Sequence, residues 1–485
     1  MAFAHFQEFL QQLEQAGELK RVTEPVDPYL EITEIADRVM KSPGGGSALL
    51  FEHPKGSDIP VAINCFGSRA RMSLALGAAD LDDIADELAA LLKPEMPAGV
   101  LNKARAAWPR LKTLMTLPPR RASGPGRCQE VVNLGADVDL TKLPVLTCWP
   151  QDGGPYITLP LVFTHDPLTG SRNVGMYRIQ VFDARTVAMH WQMHKVGAEH
   201  ARRRAEQGGK IQVAVALGGD PALTYAATAP LPPGIDEMLF AGFLRHKPVS
   251  LVRAKTVEID VPADAEIVIE GEIDPAETRM EGPFGDHTGY YSLADLYPVL
   301  HVSAITMCRA PVYPATIVGR PPMEDAWLGK ATERIFLPLL RLTLPEVVDM
   351  NLPPEGIFHN IVLVSIRKRY PGHAFKVMYA LWGLGQAMLS KMIFVFDAEV
   401  DVQNVQECLW RLGNNIDPER DTVIVRGPID VLDHSSRALG FGSKIGFDCT
   451  KKLPAEGFDR EWPDVIEMSP EIKTRVDRLW PKLKL

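Results

Sequence analysis

The sequence predicts a mixed α/β protein built from three units, and three observations lead there. Short β-branched segments bounded by turn residues crowd the middle of the chain, whereas strands alternate with amphipathic helices towards both ends. The 485 residues amount to about three average domains. Apolar residues at 46% and charged residues at 23% are ordinary for a folded protein that buries a large core.

Taken in order, FQEFLQQLEQAGEL places Phe6, Phe9, Leu10 and Leu13 on one helical face, with Gly17 as its stop signal. Short strands follow at ALLFE (48–52) and VAINCF (61–66), then a helix at DLDDIADELAALL (80–92), and together they read as a small α/β domain. Residues 93–126 are rich in Pro and Arg, and their Pro/Gly punctuation marks a boundary or an exposed connector. From about 127 to 320, segments such as YITLPLVFT, VGMYRIQVF, TVAMHWQMH, IQVAVALG, AEIVIEGEI and VLHVSAITM predict a β-rich barrel or sandwich. A helical run, AWLGKATERIFLPLLRL, begins after GRPPMED. Strands IVLVSI, MIFVFD and TVIVRG then alternate with helices HAFKVMYALWGLGQAML and VQECLWRLG, which gives a second α/β domain. The end, SPEIKTRVDRLWPKL, reads as a terminal helix whose Leu479 and Trp480 need a surface to dock on.

A formal charge of −9 lacks the basic footprint of a nucleic-acid binder, and no run of apolar residues is long enough to span a bilayer. The first residues alternate apolar and charged side chains on a helical period, unlike a signal peptide. The six cysteines are spaced by 20 residues or more, which fits neither a disulfide framework nor a CxxC site. A soluble, cytoplasmic protein with reduced thiols is the expectation.

The chain has no P-loop, no HExxH and no GxSxG, and GLGQAM (383–388) carries Met where a dinucleotide fingerprint needs its third glycine. That run also reads as part of a helix. In TVAMHWQMH, strict alternation puts His190, Gln192 and His194 on one strand face, opposite Val187, Met189, Trp191 and Met193. Such a face is either a solvated strand or the wall of a ligand site. In RNVGMYR a regular strand would separate Asn173 from Arg178, unless Gly175 hosts a bulge. EGPFGDHTGYY (281–291) is the densest polar cluster: glycines and a proline impose an irregular backbone that carries Glu281, Asp286 and His287. Paired carboxylates near one arginine have their pKa values pushed apart, which suits acid–base chemistry, although a solvated turn has the same composition. Glu237 opens a helix, a place that favours a carboxylate in any case.

These segments together resemble the UbiD family of decarboxylases along essentially the whole chain. The likeness is carried by FLQQLEQAGELKRV, LPVLTCWPQDGGPYIT, RNVGMYR, ALGGDPALTYAATAPLPPGIDE, EGPFGDHTGYY, the GRPP turn and GFGSKIGFD. It implies an N-terminal α/β domain (1–115), a central split β-barrel that binds a flavin (116–322), and a linking helix, C-terminal α/β domain and oligomerisation tail (323–485). The implied cofactor is prenylated FMN, made by a partner flavin prenyltransferase and held with Mn2+ and K+. By motif position, Asn173, His194 and Glu237 match the metal ligands, a mixed set that suits octahedral manganese better than zinc. Met176, Tyr177 and Arg178, then His190, Trp191, Gln192, Lys195 and Val196, match the cofactor contacts, with Lys391 as a further phosphate contact. Carbonyls around Ala226 to Ala229 match the potassium site. Arg178, Glu281 and Asp286 match the catalytic network, and either acid could deliver the proton.

Loss of CO2 from an arene or alkene carboxylate leaves an sp2 carbanion. Individual donors supply only about 3–4 kcal/mol against the roughly 8–23 kcal/mol by which enzymes lower barriers, so an electron-accepting cofactor is required. Members of the ubiquinone-pathway branch carry arginine where this chain has His190 and Lys195, which loosens the likeness to that branch. The resemblance therefore implies a non-oxidative decarboxylase of 3-polyprenyl-4-hydroxybenzoate or a related quinone precursor. A catabolic decarboxylase of a small phenolic or heteroaromatic acid stands beside it, as does a flavin-binding protein without that activity. A homo-oligomer, dimeric or hexameric, is expected.

Overall fold

The computed structural model describes residues 2–92, 117–191, 195–232 and 234–483. The N-terminal helix Phe6–Gln15 buries the four predicted residues Phe6, Phe9, Leu10 and Leu13 and ends before Gly17, whose φ of +74° favours glycine. Its neighbours form a four-stranded sheet, in the order Leu19–Val22, Ala48–Phe51, Val61–Ile63 and Tyr313–Ala315. The fourth strand enters from some 250 residues downstream and pairs parallel to the third, so the N-terminal sheet is finished by chain that has already passed through the middle of the protein.

The middle is a nine-stranded, largely antiparallel sheet. Its central strands are Ile211–Leu217, Ile267–Glu281 and Asp295–Met307. Among the described residues the sheet does not close into a barrel. Ile211–Leu217 is buried on both faces, which explains its nearly continuous apolar run. The long strands Ile267–Glu281 and Asp295–Met307 pair with register shifts after Glu270 and Ile273, so their far ends leave the main sheet and project the Glu281 end as an arm.

The 19-residue helix Asp325–Thr343 leads into the C-terminal part. There a five-stranded sheet runs in the order Val347–Asn351, Ile361–Ile366, Met392–Asp397, Phe441–Asp448 and Thr422–Pro428. Its three inner strands pair in parallel, and the core against them holds Val362, Val364, Ile393, Val395 and Val377. The chain is thus of mixed α/β class.

Three local expectations are corrected. The strand in TVAMHWQMH stops at Met189, and both Ala188 and His190 are buried, so the alternation there does not separate a wet face from a dry one. The segment with Asn173 and Arg178 is two strands, Arg172–Gly175 and Ile179–Val181; the break between them removes the parity argument. The GLGQAM run follows the helix His373–Trp382 as a 3-10 turn instead of lying within it. All six cysteines are buried and free. No helix among the described residues is long and apolar enough to cross a membrane.

Candidate active site

Arg178 lies in the gap between the strands Arg172–Gly175 and Ile179–Val181, where its carbonyl accepts from His190 N–H at 3.3 Å. Its guanidinium faces the arm that ends at Glu281. Nε and Nη2 donate to the two Glu281 carboxylate oxygens at 2.9 and 3.1 Å, a fork-to-fork pair. Nη1 donates to Asp286 Oδ2, and Nη2 also reaches Ser292 Oγ at 3.0 Å. The Phe284 ring supports the cation from 4.8 Å. His190 adds Nδ1 at 3.0 Å from Glu281 Oε2 and packs on Tyr297 at 4.3 Å between ring centroids.

The loop that carries the acids is clamped on both sides. Gly282 N–H donates to Gln180 Oε1 at 2.9 Å, and the Pro283 carbonyl accepts from Gly153 N–H at 2.8 Å. Asp152 accepts from the amides of Cys148, Trp149 and Gly285, tying the TCWPQDGG turn to the hairpin Phe284–Gly285 and Tyr291–Ser292. A Cβ on Gly285 would sit 2.2 Å from Trp149 Cδ1, so this close approach requires glycine.

Burial alone would raise the Glu281 pKa, but the hydrogen bonds from His190 and Arg178 and the charge of Arg178 outweigh it and bring it down to about 2. For Asp286, too, burial is outweighed, here by the His287 hydrogen bond and the Arg178 charge, which hold it far below the usual carboxylate range. In the unliganded protein both acids are therefore anions on one cation.

The residues matched to a metal and cofactor lie on the strand before Arg178, on the helix Glu237–Arg245 and around His190. Asn173 is buried on its strand, its Nδ2 a long 3.5 Å from the Tyr177 hydroxyl. Glu237 opens the helix Glu237–Arg245 and accepts from Val174 N–H at 3.0 Å, which brings it beside the Asn173 strand. Burial pushes the Glu237 carboxyl up to about 7, against the stabilising amide bonds. A carboxylate so short of positive partners, next to an amide, fits a hard divalent cation. His194 and Gln192 lie outside the described residues. Met176 packs against the core, Tyr177 is buried, and Trp191 Nε1 and His190 Nε2 are buried without a partner, as donors or acceptors reserved for a bound group would be. Lys195 caps the helix Val196–Glu206, and burial lowers its pKa against the charge of Asp430; Val196 is exposed. These residues fit a flavin phosphate held through a metal. The Lys391 ammonium is engaged by Asp433 at 2.8 Å and Ser435 at 2.6 Å. Ala226 and Ala227 close the helix Pro221–Ala226 and are buried, ahead of Glu237.

Several residues at the site carried no sequence signal. Asp152 sits inside a segment singled out only as a whole, and Ser292 lies one residue past EGPFGDHTGYY. His359 and Asp430 come from loops of the C-terminal part and reach the far side of His287.

Residues 10–92, 120–321 and 326–449 match, in turn, the N-terminal, Rift-related and C-terminal domains of the 3-octaprenyl-4-hydroxybenzoate carboxy-lyase (UbiD) family. An uncharacterized protein of Aquifex aeolicus is 55% identical over 477 residues, 98% of each chain. Among solved structures, the UbiD-class enzyme HmfF of Pelotomaculum thermopropionicum in complex with FMN is 30% identical, with a TM-score of 0.80 over 97% of this chain and 98% of that one. The vanillic acid decarboxylase of Sedimentibacter hydroxybenzoicus is 28% identical and covers 100% of both chains in its closed form, with a TM-score of 0.86. Its open form scores 0.80.

Proposed function

We propose that this chain, which belongs to the UbiD family of decarboxylases, removes CO2 without net oxidation from a hydroxybenzoate-type acid, using prenylated FMN with Mn2+ and K+. The observation that carries the reading is the buried Arg178–Glu281–Asp286 cluster, since flavin binding alone needs neither acid. Arg178 holds the substrate carboxylate, exchanging part of its acid contacts for it. Glu281 keeps the guanidinium in plane through its two-point contact, and Asp286 delivers the proton to the carbon that loses CO2. Asn173, Glu237 and, by motif position, His194 hold the metal, and the run Met176–Arg178 with His190, Trp191, Gln192 and Lys195 lines the flavin. The bound cofactor supplies the electron sink that the leaving carboxylate requires.

The acid is 3-polyprenyl-4-hydroxybenzoate or a related quinone precursor, the substrate class in the family's own description. A second reading, a small phenolic or heteroaromatic acid, is favoured by the polar and aromatic residues against the cluster: His190 packs on Tyr297 beside Glu281, and the Phe284 ring lies under Arg178. The similarity to a vanillic acid decarboxylase supports it as well. CO2 release by protein co-produced with a flavin prenyltransferase, assayed anaerobically over prenylated and small acids, separates the two. Silence from every acid with the cofactor verified by mass would leave only a flavin carrier.

Two further outcomes are expected. Glu237→Ala should lower manganese and flavin content together, and elemental analysis showing full manganese would remove Glu237 from the ligand set. The helix Pro470–Leu483 is exposed along its whole length, with Ile472, Val476, Leu479 and Trp480 bare. We assign it to contacts between copies of this chain. Truncation after Met468 should lower the assembly mass in sedimentation, and an unchanged mass would refute the assignment.

A further inference from the structure

Two ionised carboxylates pose a difficulty for the reading above, because an anion has no proton to give. The site must hold that proton elsewhere, within reach of Asp286. His287 is placed for it: its Nδ1 lies 2.8 Å and its backbone N–H 2.7 Å from Asp286 Oδ1, the oxygen that Arg178 leaves free. Its other nitrogen, Nε2, is 3.4 Å from His359 Nε2, which in turn is 3.2 Å from Asp430 Oδ2. The contacts Asp286–His287–His359–Asp430 thus form one unbroken path from the arm of the central sheet into the C-terminal part.

We propose that His287 stores at Nδ1 the proton that Asp286 delivers, and that His359 and Asp430 hold the charged ring in place from its Nε2 side; the proposal rests on the decarboxylase reading above. The backbone supports a built feature. Ile357 and Phe358 hold φ values of +47° and +49° without being glycine, and this left-handed pair presents Phe358 stacked on His287 at 5.5 Å and His359 against its Nε2. Strain of this kind persists only where surrounding structure enforces it.

The groups that face this path come from every element around it. Arg178, Glu281, His190 and Tyr297 lie on the substrate side, Asp325 at the start of the long helix, and Lys195 and Asp433 near Asp430. Burial disfavours a charged His287, but the hydrogen bond and charge of Asp286, with Asp430 and Asp325, win and raise its pKa. His359 is driven the other way, to about 4, by burial and by the charge on His287. One imidazole of the pair is thus charged and the other neutral, so His287 Nε2–H donates to His359 Nε2.

The step balances. When the substrate carboxylate draws on the Arg178 guanidinium, Asp286 loses part of the cation that keeps it ionised and takes the proton from His287 Nδ1. CO2 leaves, the carbon keeps the bonding pair and receives the proton from Asp286. His287 keeps its Nε2 proton throughout, shared with His359, and regains one at Nδ1 from water once the product has left. One proton is consumed per CO2, with no change in oxidation state.

The test uses the full-length chain with 13C-labelled histidine, without added cofactor, alongside the loaded enzyme. By NMR, His287 should titrate above the ordinary value of about 6.5, and Asp286→Asn should bring it down. In the loaded enzyme, His287→Asn should lower kcat by about 10²-fold or more, move the alkaline limb of the pH–rate profile to lower pH and leave flavin content and KM unchanged. His359→Phe, which removes the acceptor at His287 Nε2, should lower the His287 titration and move the alkaline limb to lower pH by less than His287→Asn does. An ordinary His287 titration, or an unmoved alkaline limb in His287→Asn, overturns the proposal. So does a stoichiometric divalent ion that is lost in His359→Phe but kept in Glu237→Ala, because it would make the same three atoms a metal site. A wild-type enzyme silent on every acid would instead refute the decarboxylase reading, and the NMR titration would still decide where the proton rests.

Discussion

Glu281→Gln is expected to keep its flavin and lose CO2 release by about 10²–10⁴-fold. Glutamine has nearly the same volume, so no cavity opens at a residue that is fully buried. The change is one of pairing. Glu281 accepts from Arg178 Nε and Nη2 and from His190 Nδ1, and an amide has one acceptor oxygen for these three donors. Its NH2 group must face a donor, so the two-point contact that keeps the guanidinium in plane is lost. Arg178 retains Asp286 and Ser292, which is enough for folding but not for the geometry that receives a substrate carboxylate. A second signature comes from acid. The folded pKa of Glu281 is depressed from 4.5 to about 2, so the stability it contributes is present above pH 4.5 and is lost as pH falls towards 2. Thermal melts between pH 5 and pH 3 should therefore fall less steeply in Glu281→Gln than in the wild type. Full turnover by the variant would show that Glu281 is not needed for the reaction.

What the sequence discloses about this site follows from how local its determinants are. The first helix was legible to the residue because Phe6, Phe9, Leu10 and Leu13 follow a single helical period against one core. EGPFGDHTGYY stood out because irregular backbone and polar residues coincide within eleven positions. Arg178 could not be joined to it by counting, since a strand break, not a bulge, sets its direction. The alternation in TVAMHWQMH misleads for a related reason: period two distinguishes faces only where one of them is wet, and here Ala188 and His190 are buried like Val187 and Met189. The least legible residues are those brought in by tertiary structure. Tyr313–Ala315 completes a sheet whose other strands lie before residue 64, and His359 and Asp430 reach His287 from separate loops of another sheet. No spacing encodes such meetings. Lys391 shows the converse, since a cation ahead of a strand looks free in sequence and is paired with Asp433 in the fold.

Arg178→Lys should be as damaging as Glu281→Gln, with kcat/KM for the acid about 10³-fold lower, and the reason separates a fork from a point charge. The guanidinium serves four acceptor atoms at once, the two Glu281 oxygens, Asp286 Oδ2 and Ser292 Oγ, while its face lies on Phe284. An ammonium carries the same charge but three donors in no fixed plane, and its strong hydration makes the buried site costlier to occupy. With the cation drawn to one acid, the other is left as a buried carboxylate without a full partner. Its pKa then rises, since burial already acts in that direction on both acids and only Arg178, His190 and His287 oppose it. The residual activity of Arg178→Lys should accordingly show a new acid–base limb within the pH range where the wild type is flat. A variant that kept kcat and lost only affinity would make Arg178 a binding group for the carboxylate. Loss of kcat with that altered profile would place it in the proton-transfer network, because only there does the same cation determine how tightly Asp286 holds its proton.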